Sequence, residues 1–95
     1  MKRQEPRQIL KTLKFRARIN AFTYSPHAFE AMVDAWIYEE DVKRAFSTAR
    51  LVEVQEKPRA GTHYTLQGFG MDEEPLVLVC RVQRRLIEVV DLYWD

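Results

Sequence analysis

Several side chains of this sequence belong to the types that move protons and hold phosphate without a metal ion. Cleavage of RNA without a metal requires a group that takes the 2′-hydroxyl proton, a group that protonates the leaving oxygen, and cations that stabilise the phosphate. The candidate catalytic residues are His27, Glu53, Tyr64 and Arg81, and predicted strands also carry His63 and Tyr93. Alternatively, the strand residues only form the sheet surface, and His27 hydrogen-bonds the local backbone. Any enzyme predicted from these residues is a metal-independent endoribonuclease.

Metal-ligating residues are too few and too scattered to predict a metal site. His27, His63 and Cys80 show no paired ligand spacing such as Cys-x-x-Cys. The glycine pair in residues 68–70 is followed by acids rather than by the lysine of a phosphate-binding loop, which indicates a turn. We therefore expect no metal and no cofactor, and we expect Cys80 to pack inertly in its apolar segment.

Basic residues are concentrated at the start of the sequence. Residues 1–18 contain seven Lys or Arg and one acid, whereas the remainder contains eight basic and 13 acidic residues. At about 100° per residue, four of these cations lie on one face of a predicted helix. The candidate nucleic-acid-binding residues are these four: Arg7, Lys11, Lys14 and Arg18. Alternatively, this helix complements an acidic surface of its own chain or of a neighbour.

The first and third predicted helices each show an apolar face. The first helix begins at Pro6, which suits a first turn, and extends to about Asn20. Its apolar face consists of Ile9, Leu10, Leu13 and Ala17. The third helix begins at the acidic residues 39–41 and ends near Arg50. Its core-facing residues are Val42, Ala45, Phe46 and Ala49.

The second predicted helix begins at Ser25 and Pro26, an N-cap followed by a proline at the first helical position. Large apolar residues follow at the spacing of a core-facing stripe. They are Phe29, Met32, Val33 and Trp36. His27 lies about 180° from Trp36 and is therefore expected to be accessible. We expect another helix, the first one, to approach the small residues Ala28, Ala31 and Ala35.

The second half of the chain shows the period of two that is typical of strands. Residues 21–24 are expected to be extended, and strands are predicted around residues 52–54 and at residues 62–67, 76–82 and 86–93. Residues 76–82 are apolar on both sides, which indicates a central strand. The predicted fold class is α+β, with three helices followed by a four-stranded antiparallel sheet. We expect one domain over residues 1–95, with a basic amphipathic helix at 1–20 and a helix-helix-sheet core at 25–93.

Composition excludes several classes of protein. The longest apolar run, residues 76–80, has five residues, whereas a membrane span needs about 18–20. Residues 1–18 are basic throughout and lack the apolar centre of a signal peptide. The single cysteine excludes an internal disulfide, which suits a reducing compartment. We therefore expect a cytoplasmic protein without a membrane partner.

Residues of the second and third helices follow a recurring family pattern. The matching positions are Ser25, His27, Ala28, Met32, Ile37, Asp41 and Val42, followed downstream by Glu53, Gly68, Pro75, Leu76 and residues 89–93. Through them, residues 25–93 resemble a small bacterial family, domain of unknown function forty-two fifty-eight, which is grouped with RelE/ParE-like toxins. The resemblance implies a RelE/ParE-like fold, RNA or the ribosome as a partner, and an antitoxin protein as a second partner.

The sequence departs from the pattern of that family at three positions. Ala31 and Ala35 stand where the family has arginines, and Trp36 stands where glycine is usual. The first arginine would share a helix face with His27, so a phosphate site on that helix is incomplete here. Fold does not fix function, and such a member can retain the fold without catalysis.

Two hypotheses about function therefore stay open. The first is a RelE/ParE-like domain that engages RNA or the ribosome through its basic helix, with His27 as an acid or base. The second is a catalytically inactive protein-interaction module that self-associates into a homo-oligomer. In the second hypothesis, the basic helix meets acidic residues 39–41 and 72–74, and the apolar end of the chain, residues 92–94, contributes an interface.

Overall fold

A computed structural model describes residues 5–95, which form three helices and one five-stranded sheet. The helices are α1 (Pro6–Arg18), α2 (Pro26–Asp34) and α3 (Glu39–Thr48). The strands are β1 (Phe22–Tyr24), β2 (Arg50–Lys57), β3 (Gly61–Phe69), β4 (Pro75–Val82) and β5 (Ile87–Trp94). The predicted α+β class is confirmed. The predicted basic helix at 1–20 corresponds to α1, and residues 1–4 lie outside the described part of the chain. No helix among residues 5–95 has the length and apolar character to cross a membrane.

The sheet has one strand more than the four that the sequence predicts. Its order is β1-β5-β4-β3-β2, which places β4 in the centre, as predicted. The additional strand β1 runs parallel to β5, with Phe22 opposite Ile87 and Tyr24 opposite Val89. The other neighbouring strands are antiparallel. The extended residues 21–24 are therefore not a simple connection, because β1 pairs with the last strand.

Helices α1 and α3 cover one face of the sheet and form the core with it. The buried residues of α1 are Ile9, Leu13 and Ala17, and those of α3 include Val42, Ala45 and Phe46. On the sheet, they meet a buried set that consists of Leu66, Leu76, Leu78, Cys80, Ile87, Val89 and Leu92. The predicted apolar faces of α1 and α3 are thus confirmed, and removal of their side chains from water is the main stabilising contribution.

Helix α2 does not bury the stripe that the sequence predicts. Phe29, Val33 and Trp36 are 59%, 63% and 75% exposed, so their assignment to the core is wrong, although Met32 is buried. The side of the helix that carries small residues faces inward instead, and Ala28 is buried there. It packs against β5 rather than against α1. Small side chains allow the helix to lie close to the strand, which leaves the large residues on the outer side.

The start of α2 is fixed to β5, which explains this orientation. Ser25 donates its backbone N–H to Val89 O over 2.9 Å and its hydroxyl to Val90 O over 3.1 Å. The same hydroxyl accepts the N–H of Ala28 at 3.0 Å as the N-cap of α2. The helix therefore begins directly beside β5, and the direction of its first turn decides which side faces the protein.

The start of α3 is fixed by a buried carboxylate. Asp41 accepts the N–H of Tyr38 at 3.0 Å and the N–H of Met71 at 2.8 Å. The first bond caps α3, as the acidic triplet predicts, and the second connects the helix to the loop between β3 and β4. Asp41 is buried, and both of its oxygens accept hydrogen bonds, as a buried charge requires.

Candidate nucleic-acid interface

A groove with a volume of about 680 Å³ lies between α1 and α3. Its walls consist of Lys11, Lys14, Phe15, Ala17, Arg18, Asn20, Lys43, Phe46 and Ser47. Four of these nine residues are basic and none is acidic. We call it the cationic groove, with Lys11, Lys14 and Arg18 from α1 and Lys43 from α3 as its basic residues. A concave surface of one charge sign focuses the electric field and attracts anions.

The position of α1 beside α3 follows from contacts at both sides of the helix. The guanidinium of Arg16 donates to three carbonyls of the β4–β5 turn, those of Gln83, Arg84 and Leu86, over 2.8 to 3.3 Å. On the groove side, Lys14 Nζ donates to the carbonyl of Ser47 in α3 over 3.3 Å. These bonds, together with the buried apolar face, fix the orientation in which α1 presents its basic residues.

An exposed aromatic ring stands among the basic residues of the cationic groove. Phe15 is 52% exposed, although a phenyl ring gains free energy when it leaves water. The guanidinium of Arg18 lies 5.8 Å from the centre of this ring, a cation–π distance. The groove thus offers a flat apolar surface beside positive charge. Proteins use this combination to bind single-stranded nucleic acids, whose bases stack on the ring and whose phosphates contact the cations.

Three of the four predicted nucleic-acid-binding residues line this groove. Arg7 is exposed one helical turn before Lys11 and does not line it. Lys43 was not among the predicted residues. The sequence predicts the helix α3 that carries Lys43 on its exposed side. It does not predict that α1 packs against α3, and this packing brings Lys43 beside the basic residues of α1.

His27 lies outside the cationic groove. It is exposed near the start of α2, as predicted, and its Nε2 lies 3.2 Å from Oδ1 of Asp91 in β5. The residues that line the groove do not include it. The basic residues expected to hold phosphate and the histidine expected to act on it are therefore parts of different surfaces.

The structure places the other three candidate catalytic residues on the sheet without gathering them. Arg81 in β4 lies opposite His63 in β3 and opposite Glu88 in β5. Its guanidinium donates to Glu88 Oε1 over 2.7 Å. Tyr64 points to the opposite, helix-covered face because neighbouring residues alternate along a strand. Glu53 lies in the edge strand β2, and β3 separates it from Arg81.

The titratable groups with shifted pKa values do not form a reactive site. Burial and the nearby cations Lys57 and Arg81 lower the pKa of His63. Burial raises the pKa of the Cys80 thiol, which keeps it protonated and unreactive, as expected for a packing group. Within residues 5–95, no group of three or more His, Cys, Asp or Glu side chains is arranged to hold a metal ion.

The apolar residues 92–94 make contacts within the chain itself. Leu92 is buried in the core, and Trp94 is half-buried and donates its indole N–H to Ala35 O. Of the three residues hypothesised to form an interface, only Tyr93 has an exposed side chain. Self-association of the chain stays a prediction.

Residues 24–94 match the family described as Domain of unknown function (DUF4258). The chain belongs to the DUF4258 family. No curated protein and no solved structure matches it. The match begins at the end of β1, so the cationic groove combines one wall inside the DUF4258 segment, which carries Lys43, with a wall formed by the preceding helix α1.

Proposed function

We propose that this DUF4258 protein binds single-stranded RNA in the cationic groove. The observation that carries the proposal is the meeting of four basic residues from two helices on one concave surface, with no acidic residue among the described residues that line it. Each phosphate that such a surface neutralises releases condensed counterions, which favours binding. The nearly balanced charge of the whole chain, +1, does not oppose this, because the basic residues are concentrated on one surface.

Single-stranded RNA suits the groove better than a duplex does. The exposed ring of Phe15 stands between basic residues, where an unpaired base can stack while its phosphates contact Lys and Arg. A base in a duplex is already stacked and offers no free face. The volume of about 680 Å³ accommodates a few nucleotides rather than a long helix.

The proposal requires binding and no cleavage. His27 faces Asp91 outside the groove, and the sheet residues Glu53, Tyr64 and Arg81 are dispersed. The grouping of this family with RelE/ParE-like toxins, which the sequence resemblance implies, supports RNA of the translation machinery as the target and an antitoxin as a protein partner. We infer that residues 1–95 act as one domain in this role, since α1 is hydrogen-bonded to the DUF4258 segment through Arg16.

Fluorescence anisotropy of a labelled single-stranded RNA of about 12 nucleotides tests this proposal. We expect the double variant Lys11→Glu/Lys14→Glu to bind at least about tenfold more weakly than the wild type at low salt. The matched control is Arg84→Glu/Arg85→Glu, which makes the same change of charge in the exposed turn between β4 and β5. This control is expected to bind within about threefold of the wild type, because exposed charges outside the groove act only through a screened potential.

His27→Ala is expected to bind this RNA as the wild type does, since His27 is not in the groove. Equal losses in both charge-reversed double variants would show that the RNA responds to total charge and would overturn the proposal. Expression of the protein in a bacterial host separates binding from cleavage. Growth arrest that disappears with His27→Ala would contradict a function without catalysis.

A further inference from the structure

A second cavity, of about 340 Å³, lies at the start of α3, where Glu40 and Asp41 line it, and its charged residues are acidic. It lies between the connection from α2 to α3 and the loop between β3 and β4. The aromatic residues around it are Trp36, Tyr38 and Trp94, and the acidic residues with exposed side chains are Glu40, Asp72 and Glu74. Among residues 5–95, no lysine or arginine lines it. We call it the aromatic pocket.

The walls of the aromatic pocket are held in place by buried contacts. Trp94 Nε1 donates to Ala35 O over 2.9 Å, which fixes the plane of the indole. Gly70 lies so close that a Cβ at this position would come within 2.8 Å of the Trp94 ring and 2.9 Å of Asp41 Oδ1. Asp41 in turn holds the backbone of Tyr38 and Met71. The Trp94 wall and the backbone around the pocket are therefore formed before any ligand arrives, which lowers the entropic cost of binding.

Trp36 lies in the pocket wall in a backbone conformation that disfavours its own side chain. Its φ is +54°, in the left-handed region, where the Cβ of an L residue approaches the following carbonyl oxygen. It occupies the position after the helix cap, where Ile37 N–H donates to Met32 O over 2.9 Å and glycine is the preferred residue. The indole is 75% exposed, so burial within the protein does not compensate this strain. The exposed indole is therefore available to contact a ligand in the pocket.

The chemistry of the pocket selects an organic cation. Aromatic faces attract a cation through their quadrupole, and tryptophan does so most strongly. Carboxylates at the rim add charge-assisted hydrogen bonds. A guanidinium group suits both contacts, because it is planar, weakly hydrated and able to stack and donate at once. RNA phosphate is repelled by Glu40, Asp72 and Glu74, so this ligand differs from that of the cationic groove.

We propose that the aromatic pocket binds the guanidinium group of an arginine side chain in a partner peptide. The exposed apolar residues Phe29 and Val33 continue from Trp36 along the outer side of α2 and offer contacts to residues beside that arginine. This surface favours a peptide over a free small cation, because a small cation would leave both residues in water. The proposal is independent of RNA binding, since the two surfaces share no lining residue.

Intrinsic tryptophan fluorescence tests the proposal directly, because Trp36 and Trp94 are the two tryptophans of the chain and both line the pocket. The probe is the acetylated and amidated peptide Ile-Gly-Arg-Gly-Leu, and its control carries citrulline, the uncharged isostere of arginine, in place of Arg. We expect a saturable change of fluorescence with the arginine peptide and at least about tenfold weaker binding of the citrulline peptide. Equal binding of both peptides would overturn the proposal.

Two variants and one small ligand complete the experiment. Trp36→Gly is expected to fold at least as stably, since glycine accepts a φ of +54°, and to bind the arginine peptide at least about tenfold more weakly, as followed by calorimetry. Lys11→Glu/Lys14→Glu is expected to retain peptide binding even where it loses RNA, so that the two proposals fail separately. Full retention of binding in Trp36→Gly contradicts the site, and equal affinity for acetyl-arginine-amide contradicts a peptide as its ligand.

Discussion

The backbone of Gly68 in β3 lies against the carbonyl oxygen of Ala45 in α3, so closely that a Cβ at position 68 would stand 2.0 Å from that oxygen. Thr48 Oγ1 strengthens the same contact by accepting the N–H of Phe69 at 2.9 Å. Because glycine has no side chain at this position, α3 can lie this near to the sheet. Since α3 forms one wall of the cationic groove and carries Lys43, this contact also sets the geometry of the proposed RNA site.

Gly68→Ala is expected to destabilise the fold by about 1–3 kcal/mol. The added methyl group meets backbone, which cannot rotate away as a side chain can, and overpacking of a rigid contact costs about 1–3 kcal/mol. Urea unfolding followed by circular dichroism measures the loss. Gln55→Ala on the exposed edge strand is the control and should change stability by less than about 0.5 kcal/mol. A Gly68→Ala protein as stable as this control would contradict the close approach of α3.

Stability is expected to fall as the pH drops below about 6.5 because of His63. Burial and the neighbouring cations hold its pKa in the folded protein below the unfolded value of 6.5. As the pH falls, the unfolded chain therefore binds a proton on His63 before the folded protein does. The contribution of neutral His63 to the free energy of unfolding is present above pH 6.5 and is lost as the pH falls toward the folded pKa. Urea unfolding at about pH 7.5 and about pH 5.5 measures this loss. His63→Gln should show a smaller loss, and an identical loss in both proteins would contradict the assignment to His63.

Local sequence patterns predict the helices and central strands because their signals are contained within a few turns or one strand. The stripe of α3, with Phe46 at its centre, faces the core as its spacing requires. Strand β1 is different, since its three residues pair with β5 more than 60 positions later. A pairing partner so far along the chain leaves no mark in the local pattern, and the sequence therefore predicts four strands where residues 5–95 form five.

The opposite orientation of α2 shows where hydrophobic spacing misleads. Phe29, Val33 and Trp36 have the spacing of a core stripe, yet the helix packs through Ala28 and Met32. The hydrogen bonds of Ser25 to β5 bring the start of the helix close to the strand, and the small side chain of Ala28 fits that narrow space. Side-chain size and side-chain hydrophobicity favour different sides of α2 for the contact with the sheet. A periodicity that counts only hydrophobicity cannot predict which side is buried.

The sequence predicts the part of the candidate site that lies on α1. The basic face of α1 follows from the spacing of Lys11, Lys14 and Arg18, and all three line the groove. Lys43 comes from another helix, and its participation depends on tertiary docking. The predicted catalytic residues depend even more on strand register, which places Tyr64 and Arg81 on opposite faces of the sheet.

The salt dependence of RNA binding in Lys43→Ala tests the central claim most directly, because Lys43 belongs to the groove but not to the basic helix. Affinity for single-stranded RNA should fall with salt, with a slope of about 0.7 in log affinity per log salt for each phosphate contact. We expect Lys43→Ala to reduce the wild-type slope by about 0.7, and we expect Lys57→Ala, which removes an exposed lysine from β2, to leave it unchanged. An unchanged slope in Lys43→Ala, or wild-type binding that does not respond to salt, would contradict RNA binding in the groove between α1 and α3.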